Sequence, residues 1–132
     1  MFHPKTMEWD NRMKEMFDRI DRILEERYGG RWNLRRNRPE RGATSNPEAD
    51  GLFNVGAVFT PGYGSELGRG YLVDIVLASE EKISPEAREE IEQFVRDLLS
   101  EFLPVYFPDR KLSVDRDGSR YKIHGETGLG KA

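Results

Sequence analysis

The residues best placed to do chemistry fall in one glycine-rich run. Gly62-Tyr63-Gly64-Ser65-Glu66-Leu67-Gly68-Arg69-Gly70 holds four glycines in nine residues. Glycine lets successive backbone amides turn toward one point, and converging amides form a nest for an anion. Arg69 would add charge and Tyr63 a stacking face. The run therefore predicts a small phosphate- or carboxylate-bearing ligand held by Gly62, Tyr63, Gly64, Ser65, Gly68, Arg69 and Gly70. A plain hairpin tip also uses glycine, because tight turns need positive φ. The spacing matches no dinucleotide fingerprint.

A second constellation is basic. Residues 31–41 carry five arginines against one acid, Glu40, a local net of +4. Arg31, Trp32, Arg35, Arg36 and Arg38 mix guanidinium groups with an aromatic, a combination that can follow a phosphate backbone and stack a base. Residues 80–101 hold eight acids and three bases, a local net of −5, and offer that segment a partner inside the chain. The whole chain carries −3, which gives no general attraction to nucleic acid. Nucleic-acid binding is thus the weakest of the binding readings. A third cluster, Phe102, Leu103, Val105, Tyr106 and Phe107, crowds the end of a predicted helix with Pro104 and Pro108 among it. Phe102, Tyr106 and Phe107 read either as a cap on the core or as a protein-contact patch.

Other arrangements fall short of a site. The tail Gly125-Glu126-Thr127-Gly128-Leu129-Gly130-Lys131-Ala132 has the glycine and lysine spacing of a phosphate loop. That motif needs a hydroxyl after the lysine, where Ala132 stands, and a helix beyond it. Asp74 interrupts an apolar strand and is expected at a half-exposed face or beside an arginine. His3 and His124 are isolated and make neither a metal site nor a triad. There are no cysteines, which removes disulfides, thiolate metal sites and cysteine nucleophiles. No metal or cofactor is expected, and no catalytic residue is assigned.

The elements that must position these residues follow from periodicity. Trp9, Met13, Met16, Phe17, Ile20, Ile23, Leu24 and Tyr28 recur at steps of three and four and predict a helix over 6–28. Asp10, Lys14, Asp18, Asp21, Arg22 and Glu25 are assigned to its polar face, and Gly29-Gly30 stops it. Residues 29–50 form an Arg-rich linker or long loop. Alternation predicts strands over 52–60, with Phe53, Val55, Ala57 and Phe59 on one face, and over 71–78, with Tyr71, Val73, Ile75 and Leu77 on one face. Ser84, Pro85 and Glu86 open a second helix, which Pro104 is expected to end. Asp117-Gly118 is read as the two-residue turn of a last hairpin. That register sets Arg116 against Ser119, Asp115 against Arg120, Val114 against Tyr121 and Leu112 against Ile123. A flexible tail is expected over 125–132.

The order α-β-β-α-β-β implies an α+β fold, a four-stranded, mainly antiparallel sheet with two helices packed on one face. With 132 residues the chain suits one domain, and 51–124 would form its hairpin-helix-hairpin core. Residues 1–10 hold no apolar signal segment, no run is long enough to span a membrane, and the lack of cysteine suits the cytoplasm. The leading functional expectation is a non-enzymatic interaction or adaptor module that pairs with a protein or with itself, through the first helix or the Phe102–Phe107 cluster. The anion-binding loop is the alternative.

Overall fold

The stripe of Trp9, Met13, Met16, Phe17, Ile20, Leu24 and Tyr28 is buried along α1 (Pro4–Tyr28), the first element of the computed structural model. The structure describes residues 4–36, 38–40, 42–44 and 50–125, with side chains from residue 8 onward. The phosphate-loop-like run beyond Gly125, His3, Arg41, Ser45, Asn46 and Pro47 lie outside the described residues. Four strands and a second helix follow: β1 (Phe53–Thr60), β2 (Gly70–Leu77), α2 (Pro85–Tyr106), β3 (Leu112–Asp117) and β4 (Arg120–Gly125). The sheet order is β1-β2-β4-β3, and every neighbouring pair is antiparallel. Both helices cover the sheet face that carries Phe53, Val55, Val73, Val114, Tyr121 and Ile123, and these side chains share one apolar core with them. This is the expected α+β architecture. No described helix is long and apolar enough to cross a membrane.

α2 begins where its sequence says it should. The Ser84 hydroxyl accepts the Ala87 amide at 3.1 Å, and Pro85 takes the first helical position, where no donor is missed. Its end differs from expectation. The helix runs through Pro104 to Tyr106, and the Phe107 amide still reaches the Leu103 carbonyl at 2.8 Å. Pro104 and Ser100, whose carbonyl loses its helical donor, are both exposed, so the break in the hydrogen-bond ladder falls on the outer side of the helix. Burial of Leu103 and Phe107 on either side of the proline holds the last turn in place.

The last hairpin turns one residue later than expected. Asp117 pairs with Arg120, Arg116 with Tyr121, Asp115 with Lys122 and Val114 with Ile123. The turn is therefore Gly118-Ser119, and Gly118 holds φ +66°. Hairpin loops of two residues demand positive φ at the first central position, which glycine supplies more readily than Asp117 would. The later turn also sets Val114 against Ile123, which is fully buried. Inward and outward faces are unchanged by this slip, because both strands keep their alternation.

Candidate functional site

Gly62, Gly64 and Gly68 all hold positive φ, as the glycine run requires of a tight, doubling loop. Its amides, however, point mostly inward. The Gly62 amide bonds the Thr60 hydroxyl at 3.2 Å, Ser65 the Gly62 carbonyl at 3.0 Å, Leu67 the Ser65 hydroxyl at 3.2 Å, and Gly68 the Ser65 carbonyl at 3.2 Å. Gly62 packs so closely on the Gly68 carbonyl that any side chain there would collide.

The loop is fastened to the sheet by a lysine. Lys122, on β4, is 1% exposed, and its Nζ donates to the Gly68 carbonyl at 2.6 Å and the Ser65 hydroxyl at 3.0 Å. The same Nζ lies 2.5 Å from Asp117 Oδ2, and Ser65 Oγ donates to that oxygen at 2.7 Å. The bond from Lys122, and after it the bond from Ser65, hold the Asp117 carboxyl below its ordinary value. A cavity of about 390 Å³ lies between this loop and the β3–β4 turn, lined by Tyr63, Ser65, Leu72, Asp117, Arg120 and Lys122 among others. Tyr63 stands 93% exposed at its mouth. Arg69 does not line it, and Gly70 is pressed against the backbone of Ile123. The cations that face the loop are therefore Lys122 and Arg120, from an element more than fifty residues on.

The arginine segment lies against the fold. The Asn33 amide bonds the Glu81 carboxylate, the Arg35 amide the Ala78 carbonyl at 2.8 Å, and the Arg36 amide Glu80 Oε1 at 3.4 Å. Arg31 stacks over Trp32 and Tyr28, and its guanidinium lies 3.8 Å from Glu90 on α2. Glu90 also accepts the Tyr28 hydroxyl at 2.9 Å; burial first, and this bond second, raise the Tyr28 pKa. Arg38 donates to the Gly51 carbonyl at 3.0 Å and the Asp50 carbonyl at 2.9 Å. The buried Asp50 carboxylate in turn takes the Gly42 and Thr44 amides. Among the described residues of this segment, Arg35 and Arg36 are exposed.

At the end of α2, Phe102 and Phe107 are buried in the core and Tyr106 is half-buried. Phe107 packs on Trp9 with ring centroids 4.4 Å apart, and Arg19 lies 4.3 Å above Phe102. They close the core over the first helix and leave Val105 as the exposed apolar side chain there. Asp74 pairs with Arg120 at 3.3 Å, and His124 with Asp115 at 2.7 Å.

The edge of the sheet holds groups that sequence reasoning misplaced. Asp21, assigned above to the polar face of α1, is buried, and its Oδ1 accepts the Val55 amide at 2.9 Å. Glu25, one turn later, takes the Leu52 amide at 3.0 Å. The signal was present, since Asp21 follows Phe17 by four residues and precedes Leu24 by three, inside the apolar stripe. β1 is an edge strand, so α1 supplies two carboxylates where a further strand would supply carbonyls. The capping stops at Val55. By the two-residue alternation Ala57 and Phe59 also turn their N–H and C=O groups outward, and no hydrogen bond to those groups from outside the sheet occurs among the described residues. Val58 is 59% exposed and Phe59 51%.

A protein family described as "Uncharacterised protein" matches residues 4–125. An uncharacterized protein of Borreliella burgdorferi is 36% identical over 121 residues, 92% of this chain and 94% of that protein. No solved structure matches. The matched span takes in both helices, all four strands, the glycine loop and the β1 edge, and the chain belongs to this family of uncharacterised proteins.

Proposed function

We propose that this chain is a non-enzymatic protein-interaction domain of the cytoplasm, and that its contact element is the outer edge of β1 between Gly56 and Thr60. The observation that carries the reading is the contrast along that edge. α1 caps Val55 and Leu52 with buried or half-buried carboxylates and leaves the backbone of Ala57 and Phe59 open beside two exposed apolar side chains. An open edge pairs readily with another extended segment, and proteins that must avoid this blunt the edge with lysine, proline or a bulge. None stands in Phe53–Thr60, whose pairing with β2 runs unbroken from Phe53↔Leu77 to Thr60↔Gly70. The cysteine-free composition supports the cytoplasmic part of the reading.

The test is a selection of displayed random peptides, followed by amide exchange. Wild type should enrich extended peptides that slow exchange at Ala57 and Phe59. Phe59→Pro removes a donor that β2 does not use, so it should keep the fold and lose the peptides. Unchanged exchange at both amides with every selected peptide, at a concentration where the chain is monomeric, would overturn the reading.

A further inference from the structure

We infer that the segment this edge accepts is the β1 edge of a second copy of the chain, paired antiparallel about a two-fold axis through Val58 to make a continuous eight-stranded sheet. The inference rests on the edge reading above and names its partner. The open stretch has natural limits that are symmetric about Val58. On one side the Val55 amide is already taken by Asp21, and on the other Pro61 has no N–H to give. With the axis at Val58, Ala57 of each copy lies opposite Phe59 of the other, and these are the residues whose backbone groups turn outward. They would exchange both hydrogen bonds at each of two places.

The side chains fit the same register. Large meets small: Phe59 opposes Ala57, Thr60 opposes Gly56, and only Val58 meets its own copy. Gly56 has open space where a side chain would stand, which leaves room for Thr60 of the second copy. Phe59 lies on the helix-covered face, beside Tyr71. Opposite Ala57 of the other copy it would meet a cavity of about 250 Å³ along that edge, lined by Met13, Phe17, Val55, Ala57 and Tyr71 and by the charged Asp10, Lys14 and Asp18. A ring half-exposed in one copy thus faces a recess in the other that offers it Met13, Phe17 and Val55 among its lining. Such a reciprocal contact is what a two-fold interface requires.

The chain contains no cysteine, so a single introduced one reads the register without background. In this arrangement the two Val58 residues form a non-hydrogen-bonded pair with Cα atoms about 4.5 Å apart, within disulfide reach. The two Thr60 residues on the same face would be roughly 13 Å apart, outside it. Val58→Cys should therefore form a disulfide-linked dimer under mild oxidation while Thr60→Cys stays without a cross-link. Wild type should sediment as a dimer at micromolar to millimolar concentration, and Phe59→Pro as a monomer with an unchanged circular dichroism spectrum. Cross-linking of Val58→Cys no faster than Thr60→Cys, or a wild-type monomer throughout, would overturn the self-pairing. If peptides still slow exchange at Ala57 and Phe59 in that case, the edge reading stands and only the identity of its partner falls.

Discussion

A lysine taken out of water must keep its three donors bonded, and Lys122 finds three oxygens, one each from Asp117, Ser65 and Gly68. Two of these lie more than fifty residues away in the glycine loop, and no local pattern joins them to a lysine in a strand. The sequence marks the loop as unusual through its four glycines and misplaces its charge on Arg69, the cation nearest in the chain. Asp117 gives this cluster a pH signature. Its carboxyl is held low by Lys122 and then by Ser65, so the folded state favours the ionised form. Stability from this group is fully present above its unfolded value near pH 4 and falls away as pH drops through the lower folded value. Denaturant titrations from pH 6 to pH 2 should show this loss in wild type. Asp117→Asn should be less stable at pH 6 and show a shallower fall toward acid. Parallel curves for the two proteins would remove Asp117 from the account.

At the scale of elements, α1 acts on the sheet edge as well as on the core. Periodicity finds the helix and the strand separately, and it sees an acid in the apolar stripe as an irregularity. Only the placement of α1 along β1 turns Asp21 and Glu25 into acceptors for strand amides. Removing the Asp21 carboxylate should strand the Val55 N–H in a buried place. We expect Asp21→Ala to cost about 1–3 kcal/mol, the usual penalty for an unsatisfied buried donor. Asp21→Asn, which keeps an acceptor oxygen, should cost less. Urea midpoints would show it as a lowered midpoint at unchanged slope; equal loss in the two variants would mean that the charge matters and the bond does not. The turn at Gly118-Ser119 and the passage of α2 through Pro104 follow the same logic. Turn chemistry and proline each bias one or two residues, and the burial of Ile123, Leu103 and Phe107 decides between neighbouring solutions.

The whole molecule repeats an α-β-β order, and each helix packs on a strand of its own half. The structure sets them side by side: β4 of the second half lies beside β2 of the first, and the core joins Phe17, Ile20 and Phe53 to Ile91, Leu99 and Ile123. That joining was legible, because two helices with one apolar stripe each can bury four strands on one face and no more. The weak place was not legible. β2 and β4 pair only at Tyr71↔Ile123 and Leu72↔Lys122, and beyond them Arg88 of α2 takes the Ile75 carbonyl at 3.1 Å. A two-residue seam raises the question whether the halves unfold apart. The core argues that they do not, since opening the seam would bare apolar side chains on both sides at once. We therefore expect one cooperative transition. Trp9 is buried against Phe107 and Tyr71, and Trp32 lies half-buried in the arginine segment, so fluorescence of Trp32→Phe follows the core alone. Its urea curve should overlay far-ultraviolet circular dichroism of the same variant, with one midpoint and one slope. A Trp9 transition that precedes the loss of helix and strand would show that the seam opens first and that the two halves fold as separate units.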